Sequence, residues 1–240
     1  MGDPALADPA LIPNLWWTNH PEWTCSKPDA FHLKCNYRLI ADNVLDGTHL
    51  TYVHSSSIGT SAIAEIEPTT EWDGNRVRVT RWILDRPPPP MYKEAGNFLG
   101  NVDRWAIVEH QPPCCSINFA GCVEVGFGGT EGDRNNSGNK VDLVALSIPT
   151  PETDTTTHYF FAFSRAFGHD DPAVEKMFSE TMVDVFREDV AILEAQQRAM
   201  EEKPNALQVN IKVDAASIQA RRMLERMITA EKSSGSCPLP

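Results

Sequence analysis

Residues 172–201 read as one long helix, and that helix limits what the rest of the chain can be. Its apolar residues Val174, Phe178, Met182, Val185, Ile192 and Leu193 form a single stripe at helical spacing. A stripe that long needs a broad apolar surface to cover it. The middle of the chain offers one. Residues 104–110, 115–125, 140–149 and 157–166 read as strands. Residues 62–72 and 76–84 read as a hairpin turning at Asp73-Gly74, whose second arm alternates Val77 and Val79 with Arg76 and Arg78. Around these lie a strand at 31–38, a helix at 39–53, a stiff extended segment at 87–90 and a polar hairpin loop at 126–138. That loop lacks the Lys-Ser/Thr ending of a phosphate cradle. A short strand at 207–213 and a helix from Asp214, with Ile218, Met223, Leu224 and Met227 inward, close the chain. The expected class is α+β: an antiparallel sheet with a long helix packed across it.

Asp189 lies near the centre of the helix stripe, four residues after Val185 and three before Ile192. Glu188 falls at the stripe edge, and Asp184 and Glu194 are expected to point away. A carboxylate in a buried stripe is costly unless it is paired or holds a metal. Partners are offered by the run Asn43-Val-Leu-Asp46-Gly-Thr-His49-Leu-Thr-Tyr-Val-His54. Two imidazoles five apart diverge by about 140° on a regular helix. They converge only if the helix ends or distorts between them, and Gly47 and Ser55-Ser56-Ser57 favour such a break. Two His with a carboxylate and open positions is the donor set of non-haem Fe(II). It also serves catalytic zinc. The plainer readings are a core histidine and a buried ion pair, and residue types and spacing alone leave the choice open.

The remaining bounds are broad. A chain of 240 residues can bury one sizeable core. Its net charge of −12, without a basic stripe, argues against nucleic acid or an anionic membrane as partner. No apolar run approaches ~20 residues, and the stretch after Met1 is acidic and Pro-rich, where a signal peptide would be expected to run basic and then apolar. Six cysteines in this length make no disulfide framework, so a reducing cytoplasm is expected. His20, His32, His110, His158 and His169 carry no ligand spacing.

The Asn43–His54 run resembles the iron-binding motif of the Rieske non-haem iron oxygenases. Phe186-Arg-Glu-Asp189 through Gln197 resembles the segment that supplies their third ligand. Cys35-Asn-Tyr-Arg38, His158-Tyr-Phe-Phe161 with Ser164-Arg165, and the tail from Asp214 to Met227 extend the likeness over nearly the whole chain. It is strongest to the vanillate O-demethylase and dicamba monooxygenase branch. The resemblance implies a helix-grip fold (START/Bet v 1-like), with mononuclear Fe(II) on His49, His54 and Asp189. It implies Asp46 as the carboxylate bridging to a neighbouring subunit and Asn43 beside the metal. It further implies O2 and a small aromatic substrate, methoxylated or acidic. Asn118 and Ser147 are polar groups at apolar-strand positions, suited either to orient that substrate or to satisfy local backbone groups. Electrons would come from NAD(P)H through a ferredoxin or flavin reductase, within a homotrimer.

One family feature is missing. No Cys-x-His or Cys-x2-His pair for a [2Fe–2S] cluster occurs in this chain. Residues 1–24, punctuated by Pro4, Pro9, Pro13 and Pro21, resemble the linker that follows the Rieske domain. The expectation is therefore a linker remnant at 1–24 and a catalytic domain at 25–240. The rivals are a helix-grip binding module without redox turnover and a metal-dependent hydrolase.

Overall fold

The computed structural model describes residues 8–128, 139–207 and 209–233. Most of the 126–138 loop, residues 129–138, lies outside the described residues, as do 1–7 of the expected linker and Cys237.

Eight strands form one antiparallel sheet. They are β1 (Thr24–Cys25), β2 (Asp29–Leu33), β3 (Thr69–Trp72), β4 (Val77–Arg86), β5 (Val102–Gln111), β6 (Cys115–Glu124), β7 (Lys140–Pro151) and β8 (Thr157–Arg165). The order is β1-β8-β7-β6-β5-β4-β3, and β2 also pairs with β8. From β3 to β8 each strand lies beside its successor, as short connections between alternating strands dictate. Five α-helices complete the fold among the described residues: α1 (Tyr37–Leu45), α2 (Ser61–Glu65), α3 (Pro90–Gly96), α4 (Pro172–Glu202) and α5 (Ala215–Ser233). Among the described residues no helix is long and apolar enough to cross a membrane.

The α4 helix starts where its chemistry says it should. The Asp171 carboxylate accepts from Ala173 N at 2.9 Å, and Pro172 fills the first turn, where no donor is needed. Arg165, at the end of β8, ties the sheet to this turn. Its Nη2 donates to Glu175 Oε2 at 2.5 Å, and its Nη1 donates to the Gly168 carbonyl at 2.7 Å. The buried residues Phe178, Met182, Val185, Phe186, Asp189, Leu193 and Gln197 run along α4 at three- and four-residue steps. They pack on the inner face of the sheet, where Tyr159 stacks on Phe186 while Phe161 meets it tilted and Phe163 edge-on.

Several expected elements differ. The 39–53 helix is two pieces, α1 and a 3-10 turn at Gly47–Thr51. Within 62–72 only Thr69–Trp72 is strand, and Ser61–Glu65 is helical. Pro90 opens α3, in place of the end of an extended segment. The 207–213 segment forms no strand among its described residues; a 3-10 turn covers Lys212–Asp214. Ile192 is 49 % exposed and Met227 47 %, because each sits past the edge of the surface covering its helix. Glu194 does not simply point away: its Oε1 accepts from Lys34 N at 3.0 Å, satisfying the chain just after β2. The segment before β1 is not a loose extended run either. It holds 3-10 turns at Pro9–Leu11 and Trp16–Asn19, and Trp17 is buried with Ile117 and Val144 on the outer face of the sheet.

Candidate metal centre

Asp46 ends one helix and starts the next turn. Its backbone N–H still donates to Asp42 O at 2.9 Å, but its own backbone is extended. Its Oδ1 then accepts from Thr48 N at 2.9 Å and caps the 3-10 turn. A Cβ at Gly47 would lie 2.6 Å from Arg81 Nη1, so a larger residue at this break would have to displace the end of the Arg81 side chain. The tighter winding that follows redirects the chain, so His49 and His54 face each other with ring centroids 5.2 Å apart. Gly59 closes the turn: its N–H donates to His54 O at 2.8 Å, and a Cβ would come within 1.8 Å of Leu50 O.

The α4 helix brings Asp189 to the same point. Its Oδ1 lies 3.1 Å from His54 Nε2 and 3.6 Å from His49 Nε2. The three donor atoms lie within 4.8 Å of one another. Asn43 Nδ2 donates to the same Oδ1 at 3.0 Å.

Whether such donors suit a metal ion depends on which ring nitrogens are committed elsewhere. His49 Nδ1 meets the Asp46 carbonyl oxygen, which can only accept. His54 Nδ1 lies 2.7 Å from Glu188 Oε2. With Nδ1–H donated outward in both rings, both Nε2 atoms face Asp189. This is how metal-binding imidazoles are held. The donor set fits a divalent ion. Burial lowers the His49 pKa, and Asp189 and the Asp46 carbonyl offset that only in part. For His54 burial also pulls downward, but Asp189 and Glu188 outweigh it and the pKa rises above 6.5.

Beside the donors, between sheet and α4, lies a narrow cavity. Ala106 and Ala120 are cross-strand partners on the inner face, and Ala145 follows across from Asn118. These small side chains leave the space that the phenylalanines fill further along. Asn118 lines the cavity with a buried Oδ1 that has no hydrogen-bond partner. Ser147 is there too, but its hydroxyl is engaged with the Tyr159 hydroxyl at 2.8 Å. Asp46 lies instead in an open groove on the other side of His49, lined also by Arg38, Asp42 and Arg221.

Three groups at the site are not apparent from the sequence. Glu188 falls at the stripe edge without an evident task, although a second carboxylate beside a suspected ligand is a usable signal. The Asp46 carbonyl and the buried Arg104 carry no signal in residue type or spacing.

An antiparallel sheet, one long helix across it and a two-His, one-carboxylate cluster at their seam define a helix-grip domain with a candidate metal site beside a cavity. The chain belongs to the family of vanillate O-demethylase oxygenase C-terminal domains, whose model matches residues 33–230. It is 37 % identical over 241 residues to the iron-sulfur subunit of the toluene-4-sulfonate monooxygenase system of Comamonas testosteroni, covering 99 % of this chain and 68 % of that protein. It is 37 % identical over 238 residues to a vanillate O-demethylase oxygenase subunit of a Pseudomonas species, covering 97 % and 71 %. The fold superposes on dicamba monooxygenase bound to 3,6-dichlorosalicylic acid with a TM-score of 0.85 and 27 % identity, covering 96 % of this chain and 66 % of that one. The chain thus spans about two thirds of the length of these relatives.

Proposed function

We propose that residues 25–240 form the catalytic domain of an oxygenase that hydroxylates or O-demethylates a small aromatic compound. His49, His54 and Asp189 hold one Fe(II), and residues 1–24 connect this domain to a [2Fe–2S]-bearing part of a longer protein. The observation that carries the reading is the pair of imidazoles with both Nδ1–H groups anchored and both Nε2 atoms turned to one carboxylate oxygen. Bound Fe(II) with open positions supplies O2 activation beside the substrate. The named relatives act on vanillate, toluene-4-sulfonate and dicamba, which supports a substituted aromatic as substrate.

The chain's own groups then have distinct tasks. Asn43 fixes the Asp189 oxygen, Glu188 and the Asp46 carbonyl fix the two rings, and the apolar cavity wall excludes water. Asn118, with its unpartnered Oδ1, orients the substrate. Ser147 acts on it only through Tyr159. The Asp46 carboxylate faces the open groove, where it would accept a hydrogen bond from a neighbouring subunit of a homotrimer. Electrons would reach that interface from NAD(P)H through a separate reductase, in the cytoplasm.

The test is Fe(II) stoichiometry together with formaldehyde release from 4-methoxybenzoate, driven by hydrogen peroxide. One Fe(II) per chain with peroxide-dependent formaldehyde is the expected result. Tight binding of an apolar ligand without Fe(II) would indicate a binding module, and zinc-dependent hydrolysis a hydrolase.

A further inference from the structure

The inward residues of β4 follow the segment that carries the two imidazoles. Val79 packs in one cluster with Leu45, the last residue of α1, and Ile83 packs in another with Leu50 on the 3-10 turn. Between these two aliphatic residues comes Arg81. It is 3 % exposed, and its Nε and Nη2 are buried without a hydrogen-bond partner. Its Nη1 lies at the break itself, in the space that a side chain on Gly47 would take. Burial pulls the Arg81 pKa below its ordinary value, and the Asp46 carboxylate pulls the other way. Asp46 is only half-buried and lines the open groove.

A guanidinium in this row is costly, because only an opposite charge nearby offsets the burial of a charge. A leucine in its place would continue the aliphatic bed from Val79 to Ile83 and suit an unbroken helix above it. The charge favours another course. It is offset when the chain turns at Asp46 and keeps that carboxylate beside the guanidinium, and the same carboxylate then caps the 3-10 turn through Thr48 N. Gly47 leaves the room that the guanidinium needs. We propose that Arg81 is a positioning residue for the metal centre: it sets the break at Asp46-Gly47, and with it the convergence of His49 on His54, at a cost to stability. The inference rests on the reading of His49, His54 and Asp189 as metal ligands.

The test compares the full chain with Arg81→Leu, Arg81→Lys and Asp46→Asn by Co(II) titration, melting temperature and metal-free crystal structures. Co(II) stands in for Fe(II), and its visible bands report its ligands. Arg81→Leu is expected to melt at or above the wild-type temperature, since it removes a buried charge and leaves Asp46 facing water. It should nevertheless bind Co(II) about 10-fold or more weakly, with altered bands. Arg81→Lys keeps the charge and should bind Co(II) close to the wild-type value. Asp46→Asn keeps the cap but not the charge, so adding it to Arg81→Leu should cost no further affinity. In the metal-free Arg81→Leu structure the His49 and His54 ring centroids should lie further apart than 5.2 Å. Wild-type Co(II) affinity and bands in Arg81→Leu overturn the proposal. So does an Arg81→Lys that binds as weakly as Arg81→Leu. An Arg81→Leu that melts lower or fails to fold overturns it too, by making Arg81 a support of the whole fold. If the wild type binds no Co(II), the metal reading falls and the ring spacing in the two structures decides this proposal: equal spacing overturns it.

Discussion

Two clusters in this chain each bring two imidazoles and one carboxylate together. His49, His54 and Asp189 lie at the sheet–helix seam; His32, Glu152 and His158 lie on the solvent side of the β2–β8 pair. The donors are of the same type, and both sets lie within 4.8 Å. The surroundings differ. In the exposed cluster the carboxylate itself takes the ring nitrogens, with His32 Nε2 at 2.7 Å from Glu152 Oε2 and His158 Nε2 at 3.6 Å from Oε1. Both of these rings are about half exposed, so water solvates them and screens the charges. In the buried cluster a carbonyl and Glu188 fix the rings from behind, and Asn43 fixes the carboxylate. What separates a candidate ion site from a surface ion pair is therefore the set of groups behind the donors.

The largest effect that could break this contrast is at Asp189. Asp189→Ala should weaken Fe(II) binding by about 100-fold or more, while Glu152→Ala leaves it unchanged. Equilibrium dialysis with Fe(II) checks both, and two ions per wild-type chain would make the clusters equals. Next comes Glu188→Gln. Its carbonyl can still accept from His54 Nδ1–H, so the loss should be about 10-fold, near the lower end for groups behind a ligand. Affinity equal to wild type would mean that Glu188 does not set the ring.

A smaller effect concerns pH. The raised His54 pKa means that the metal-free folded state binds this proton more tightly than the unfolded chain does. Its contribution to stability is full below about pH 6.5 and fades as pH rises through the folded-state value. Metal must displace that proton, so apparent Fe(II) affinity should rise over the same window. Melting curves of wild type and Glu188→Gln above pH 6.5 check this, the variant showing the shallower decline. The smallest effect belongs to His32→Ala, which should leave both Fe(II) binding and melting temperature within error.

The strands from 104 to 166 are legible in the sequence because apolar alternation and turn residues agree there, and β5 to β8 fall within a few residues of expectation. Asp189 is legible because a carboxylate conflicts with its stripe, and it is 9 % exposed. Other elements are hidden because they depend on contacts that residue order does not reveal. The helix through Asp46 breaks because that side chain caps the next turn. Ser61–Glu65 carries helix-forming Ala and Glu that an alternating pattern misreads as strand. Arg104 is held only once β5 carries it to the Ile58 carbonyl and the Tyr92 ring, contacts that no spacing rule announces.

The bond from Asn43 to Asp189 spans 146 residues, and the contact from His54 to Asp189 spans 135. The ribosome therefore finishes the sheet before the third donor exists. Contacts so distant along the chain form late, after the loops between them have closed. A nascent chain that ends before α4 presents two imidazoles and no carboxylate to bring them to one point. Capture of an ion at this seam would report that synthesis and docking are complete.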